Sequence, residues 1–280
     1  MGVTMTGETN TNPVQTAATE RRREVEAWGV TYERYALAYT QAKLVKKLGI
    51  GSVLELPAHG AKAMPSIYST GFGLAGAKVT LAAGHRDYEK CWADLGIADR
   101  VEFVDVPSLT ETGLPAESWD LVWDFAYLPL EPKPEELVRE MMRLSKRYVG
   151  FFSVNAGNVG FGWHRFLHNY NHVEWTHGDV RWNKRGNVAK LLESQGMRVV
   201  ARGFTDTPMW PDSLGFRDMR LHRENIMFDN VDWESPYIDH RRNDDFPSWI
   251  KAVHAWERIP MIAPIKSLYS HINFVIAEKL

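Results

Sequence analysis

The chain has 280 residues, of which 33 are Lys or Arg and 35 are Asp or Glu, so its formal net charge at pH 7 is −2. The hydrophobic share of 44% is that of an ordinary globular protein, and the balanced charge excludes the basic footprint of a nucleic-acid-binding protein. The single Cys91 excludes an internal disulfide, and we find neither an apolar run long enough for a membrane span nor a secretory signal. We therefore expect a cytoplasmic protein with no membrane or nucleic-acid partner; the sequence leaves its oligomeric state open.

The first fifty residues precede a regular series of elements. Residues 1–18 are rich in Thr, Asn and Gly and predict a flexible leader. Residues 19–50 predict helices, the first starting at Thr19 and the second running from Tyr32 to Leu48, where Gly49 ends it. Residues 51–280 then form the main domain.

From residue 51 onward, strands and helices alternate. Short apolar runs predict strands at 51–56, 78–84, 100–106, 119–125, 147–154, 197–204 and 271–279. Helical patterns predict helices up to Ala75 and at 87–96, 134–146 and 187–196. This alternation predicts an α/β fold with a doubly wound, mostly parallel seven-stranded sheet and a helical N-terminal extension. Residues 205–262 lack a clean helical period and predict a cap inserted before the last strand.

Ligands of such a sheet bind at the carboxyl ends of its strands, near the point where the strand order reverses. The residues that follow each strand are therefore the ones to examine for chemistry. An ordered set of segments there, VLELPAHGA, LAGAKVTLAAG, DRVEFVDV, SWDLVWDFAYLPLEP and LSKRYVGFFSVN, resembles the class I S-adenosylmethionine (SAM) methyltransferase superfamily, whose fold is Rossmann-like. The resemblance runs from about Val53 to Asn155 and continues through the last strands.

The resemblance implies transfer of a methyl group to a small-molecule acceptor, with SAM as the cofactor. The cofactor contacts it implies, with the residues around them, are Glu55, Pro57, Ala58, His59, Gly60, Ala83, His85, Asp105, Val106, Asp124 and Phe125. The candidate catalytic residues are His59, Asp124 and His164, since an imidazole or a carboxylate can remove a proton from the acceptor. The candidate substrate contacts are Tyr127, Asn155, Phe161, Trp163, His168, Trp175 and Trp210, mostly aromatic side chains suited to stacking.

Two features of the sequence depart from the family pattern. The positions that are glycines in the family are Pro57, His59 and Ala61 here, and Pro57 lacks an N–H donor. The second strand ends without the acid that would bind the ribose hydroxyls, since Ala83 and Gly84 stand there. Two alternatives therefore stay open: an enzyme of this fold that moves a one-carbon group between a small methyl donor and a carrier such as reduced folate, and a non-catalytic binding subunit.

Residues 156–182 hold an unusual series of histidines among aromatic residues. His164, His168 and His172 recur every four residues, which places them along one face of a helix. Such spacing can bind zinc, and plain packing is another interpretation. We favour a histidine and aromatic lid over the pocket, formed by 156–182 and 205–262, and expect no bound metal. Arg217 or Arg220 could clamp a substrate carboxylate.

Overall fold

A computed structural model describes residues 22–59, 64–223 and 231–280. The predicted leader, the helix start at Thr19 and Gly60 lie outside these residues. The strands are β1 Arg22–Val25, β2 Ser52–Glu55, β3 Lys78–Ala82, β4 Val101–Val104, β5 Trp119–Phe125, β6 Ser145–Val154, β7 Met197–Thr205, β8 Val231–Glu234 and β9 Ile272–Lys279.

Helices connect most of these strands. They are α1 Trp28–Leu48, α2 Thr70–Leu74, α3 Glu89–Asp94, α4 Pro134–Leu144, α5 Val159–Tyr170, α6 Arg185–Ser194, α7 Leu214–Arg223, α8 Pro236–Asn243, α9 Ser248–Glu257 and α10 Ala263–Tyr269. None of these described helices is both long and apolar enough to cross a membrane.

The main sheet has seven strands in the order β4-β3-β2-β5-β6-β9-β7. Strands β2 to β6 pair in parallel, and β9 lies antiparallel between β6 and β7. This architecture confirms the predicted doubly wound, mostly parallel seven-stranded sheet. The chain moves outward from β2 through β3 to β4 and then returns to β5, so the strand order reverses between β2 and β5. A ligand crevice is expected at that switch point.

Strand β5 shows why the sequence predicted these strands so well. Leu121, Trp123 and Phe125 pack into the core on one face of the sheet, beneath α1 and α2. Val122 packs into the core on the other face, with residues of α4 and α6. A strand that is buried on both faces needs consecutive apolar residues, and it therefore appears in the sequence as an unbroken apolar run.

The segment before α1 is a strand, so the predicted helix from Thr19 is wrong for residues 22–25. Strand β1 pairs in parallel with β8, with Arg22 opposite Val231 and Val25 opposite Glu234. Its pairing partner lies some two hundred residues further along the chain, and local periodicity carries no signal for such a contact. From residue 22, where the described part begins, the N-terminal extension is therefore one strand, β1, and one long helix, α1.

Candidate functional site

The switch point lies between the residues that follow β2 and those that follow β5. The peptide bond between Leu56 and Pro57 is cis, and the next residue, Ala58, donates its N–H to the Ala82 carbonyl (2.7 Å). His59 then lies edge-on to the ring of Tyr127, with the ring centroids 5.3 Å apart and the planes at 90°. Burial and the neighbouring His85 lower the pKa of His59 from its usual value, against a hydrogen bond to the Ala83 backbone. Its imidazole is therefore neutral at pH 7 and can accept a proton.

Two predicted site carboxylates are fully buried and have partners within the protein. Glu55 accepts a hydrogen bond from Ser69 Oγ (2.6 Å), and burial raises its pKa to about 8. Asp124 accepts the N–H groups of Tyr127 (3.0 Å) and Leu128 (2.9 Å), and burial raises its pKa to about 7 against those two bonds. Both carboxyls hold the loops of the switch point in place; their contact with a cofactor or a reacting atom stays a prediction.

The residues after β3 and β4 form the other side of the crevice. Ala83 has a left-handed φ of 54° and donates its N–H to the Val104 carbonyl (3.0 Å). His85 is exposed, and its backbone N–H is held by Ser66 Oγ (2.7 Å). Asp105 is exposed after β4, while its neighbour Val106 packs against the core. Asp105 therefore offers an exposed carboxylate to the crevice, whereas the two residues directly after β3, Ala83 and Gly84, are not acids.

A cavity of about 230 Å³, here called the histidine cavity, begins at the same switch point. It joins residues that follow β5 and the last residue of β6 to residues of α5, the 171–178 loop and α7. Its lining residues are Ala126, Pro129, Leu130, Val154, Phe161, His164, Trp175, Thr176, His177, Asn183, Leu214 and Arg217. Both segments predicted as a lid therefore contribute walls to one cavity beside the crevice.

The predicted substrate contacts divide between this cavity and other places. Phe161 and Trp175 line it and meet edge to face, with ring centroids 5.8 Å apart. Trp163 lies on α5 and is 43% exposed, with its ring stacked on that of Phe166. Asn155 is buried and donates to the carbonyls of Ser267 (2.8 Å) and Ser270 (2.9 Å).

Another predicted contact, Trp210, lies away from the histidine cavity. It lines a second cavity of about 330 Å³, the tryptophan cavity, together with Trp233 and His271. Arg217 lines both cavities, and its Nε is buried without a hydrogen-bond partner among the described residues. A cationic group with an unused donor is therefore placed between the two spaces.

Only two of the three histidines that were predicted to share one face of a helix do so. His164 and His168 project from α5 and are buried, but α5 ends at Tyr170, and His172 lies beyond it, exposed, with a left-handed φ of 54°. His177, rather than His172, lies beside His164 and His168.

Four side chains form what we call the histidine–aspartate cluster: His164, His168, His177 and Asp218. Asp218 Oδ2 lies 3.1 Å from His164 Nε2, 2.8 Å from His168 Nε2 and 3.0 Å from His177 Nε2. Burial acts to raise the pKa of Asp218, but hydrogen bonds from His164 and His177 lower it far below its usual value. The sequence analysis did not single out Asp218, which is one acid among many in 205–262.

No protein-family model matches the sequence, and no curated protein matches it significantly. Solved structures do share its fold. Magnesium protoporphyrin IX methyltransferase from Synechocystis PCC 6803, solved with bound S-adenosylhomocysteine, superposes with a TM-score of 0.50 at 11% identity, over 90% of this chain and 84% of that one. The (4+2)-cyclase SpnF superposes with a TM-score of 0.50 at 14% identity, over 86% of this chain and 80% of that one.

The sheet order and these two structures establish that the chain has the class I methyltransferase fold. This confirms the fold implied by the resemblance in sequence. One of the two structures is a methyltransferase and the other a cyclase, so the reaction has to be argued from the site itself.

Proposed function

We propose that the protein is a SAM-dependent methyltransferase that acts on a small-molecule acceptor. The observation that carries this proposal is the pair of adjoining spaces at the switch point. The crevice between His59, His85 and Asp105 would hold the cofactor, and the histidine cavity would hold the acceptor. The two spaces meet where Ala126 and Tyr127 follow β5.

The residues of the crevice fit SAM in part. Asp105 would accept a hydrogen bond from the adenine amino group, and the exposed His85 is the residue after β3 that could bond a ribose hydroxyl. When bound, SAM supplies a methyl group made electrophilic by its sulfonium sulfur. Because Ala83 stands where the family has its ribose acid, we expect weaker binding than a full set of contacts would give.

The protein's own part in the reaction is to position the acceptor and to accept its proton. Methyl transfer is an in-line displacement, so much of its acceleration comes from holding the reactants in the correct orientation. Phe161 and Trp175 would orient the acceptor and exclude water from the histidine cavity. His59, neutral at pH 7, would take the proton that the acceptor's nucleophilic atom gives up.

The size and charge of the histidine cavity limit which molecules could be the methyl acceptor. A volume of about 230 Å³ is below the usual range for drug-sized ligands, which favours a small molecule over a macromolecular substrate. The unpartnered Nε of Arg217 favours an acceptor that carries a carboxylate, since guanidinium groups pair well with carboxylates.

We also propose a cytoplasmic location, the compartment where a free thiol such as that of Cys91 is usual.

Calorimetry with SAM and S-adenosylhomocysteine on the purified chain tests the proposal. We expect both to bind, and Asp105→Ala to weaken binding by roughly 10- to 100-fold, the equivalent of one hydrogen bond to a charged group. Asp99→Ala is the matched control, because Asp99 is an exposed acid in the turn before β4, away from the ligand end of the sheet, and the variant should bind like the wild type. Binding of a reduced folate, with no binding of either SAM compound, would overturn the proposal.

A further inference from the structure

In the histidine–aspartate cluster, each placement of hydrogen atoms leaves two acceptors or two donors facing each other. The Nδ1 atom of His168 faces two backbone carbonyls, those of Glu174 (2.9 Å) and Val173 (3.2 Å). Because carbonyl oxygens only accept hydrogen bonds, Nδ1 must carry the proton. A neutral His168 then presents the lone pair of its Nε2 to Asp218 Oδ2, 2.8 Å away, which is also an acceptor.

Protonating His168 a second time gives it a donor towards Asp218 Oδ2 but transfers the conflict to His164. His164 Nε2 lies 3.1 Å from His168 Nε2 and 3.1 Å from Asp218 Oδ2. If both histidines carried hydrogens on Nε2 to satisfy the carboxylate, two N–H groups would be directed into the same small space. With His177 Nε2 included, four potential ligand atoms lie within 4.8 Å of one another. A cation among them would accept every lone pair at once.

We propose that the cluster binds one divalent first-row transition-metal ion of the zinc type. Its ligands would be Nε2 of His164, His168 and His177 and the carboxylate of Asp218. Three imidazoles and one carboxylate form a donor set typical of Zn²⁺ rather than of Mg²⁺ or Ca²⁺, which prefer oxygen ligands. The bond from His168 Nδ1–H to backbone carbonyls is also the usual outer contact of a metal-bound histidine, and it fixes the tautomer and the ring orientation.

The surroundings of the cluster favour an ion over a solvated polar network. The side chains of His164 and His168 are 2% exposed and that of Asp218 is 13% exposed. Trp175 packs against the imidazoles, with its ring centroid 5.1 Å from that of His164, 5.0 Å from that of His168 and 4.8 Å from that of His177. An apolar wall of this kind excludes competing water and strengthens the electrostatic attraction between ion and ligands.

The ion would join the two segments that cover the sheet. His164 and His168 come from α5, His177 follows the 171–176 turn, and Asp218 comes from α7. His164 and His177 also line the histidine cavity, so the metal would lie in its wall. This site was not expected from the histidine spacing, where we favoured a lid without a metal. The proposal does not depend on methyl transfer and stands or falls separately from it.

The test uses the full chain without a histidine tag, since a tag would itself bind metal. Protein purified without chelators is analysed for metal by mass spectrometry, then stripped with a chelator and titrated with Zn²⁺ by calorimetry. We expect about one tightly bound Zn²⁺ per chain. Cobalt substituted for zinc should give the visible absorption of a four-coordinate site with nitrogen and oxygen ligands.

His168→Ala and Asp218→Asn should each weaken Zn²⁺ binding by at least about 100-fold, because each removes one of the four ligands. His172→Asn is the matched control, because His172 lies just beyond α5 and outside the cluster. Circular dichroism checks that every variant is folded. If the stripped wild type binds Zn²⁺ no more tightly than His168→Ala does, or if only His172→Asn loses the ion, the proposal is wrong.

Discussion

His271 and Asp206 form a buried pair at the point where β7 ends and β9 begins. His271 Nδ1 lies 2.9 Å from Asp206 Oδ2, and its backbone N–H donates to the Asp206 carbonyl (2.8 Å). The other ring nitrogen, Nε2, lies 3.2 Å from the carbonyl oxygen of Trp210. Both ring nitrogens face acceptors, and the imidazolium form, which has two N–H donors, satisfies both.

This pair should make stability depend on pH above neutrality. Burial acts to lower the pKa of His271, but the charge of Asp206 and the hydrogen bond to it raise the pKa to about 9. The folded state then keeps a proton that the unfolded state loses, so the stabilisation is complete below about pH 6.5 and disappears as the pH rises towards 9. The contribution is at most about 3 kcal/mol.

Urea unfolding of the wild type and of His271→Gln at several pH values between 6.5 and 9 measures this effect. The difference in free energy of unfolding between the two proteins should shrink across that range. Burial also raises the pKa of Asp206, to about 6, but that group titrates below the measured window. A constant difference from pH 6.5 to 9 would contradict the assignment.

Glu55 gives a second pH prediction, with a substitution that should stabilise. Because burial raises its pKa to about 8, the carboxyl is protonated in the folded protein at neutral pH, and stability declines as the pH rises from about 4.5 to 8. Glu55→Gln keeps an acceptor for Ser69 Oγ and cannot ionise. We expect it to match the wild type near pH 4.5 and to exceed it at pH 8 by up to about 4 kcal/mol.

Thermal or urea unfolding of Glu55→Gln and the wild type, near pH 4.5 and at pH 8, tests this prediction. Glu55→Ala serves as the comparison, since it should destabilise at both values by leaving a cavity in the core. A Gln variant that is less stable than the wild type at pH 8 would contradict this prediction.

Gly178 should tolerate no side chain, because it packs directly against the loop after β5. Its φ is 72°, and an added Cβ would lie 2.0 Å from the Pro129 carbonyl oxygen. Gly178→Ala should cost about 2–4 kcal/mol through backbone strain and overpacking. Gly186→Ala is the control, because that glycine lies in α6 with nothing within 4 Å of an added Cβ, and it should be neutral or slightly stabilising. Equal stability of the two variants in urea unfolding would refute this account.

Arg34 and Glu26 form a buried ion pair, and removing the charge of one partner should strongly destabilise the fold. Arg34 Nε donates to Glu26 Oε2 (2.8 Å), and the two side chains are 3% and 0% exposed. Glu26→Gln leaves the guanidinium buried without the carboxylate to which it is hydrogen-bonded and should cost about 3–5 kcal/mol. The double variant Glu26→Gln with Arg34→Met should recover much of that loss in urea unfolding. A double variant no more stable than Glu26→Gln would argue against an electrostatic origin of the cost.

Much of the fold was predictable because the relevant interactions are local or repeat regularly. β5 was predicted with its observed bounds, since a doubly buried strand needs an unbroken apolar run. The end of α1 was predicted because Gly49 adopts the left-handed φ of 68° that ends a helix. Strand β1 was not predictable in the same way, since its hydrogen bonds go to β8.

The candidate site was predictable only in its location. The sequence by itself determined which residues follow the strands, and therefore that His59, Asp105 and Tyr127 lie at the ligand end of the sheet. It also determined that His164 and His168 share one face of a helix, because helical geometry fixes that relation. Only the tertiary structure decided that His177 and Asp218 complete the cluster. Asp218 lies 54 residues from His164 along the chain, and it reaches the cluster because α7 packs against α5. Such a long-range contact depends on how whole elements pack together, and no local pattern of residues encodes it.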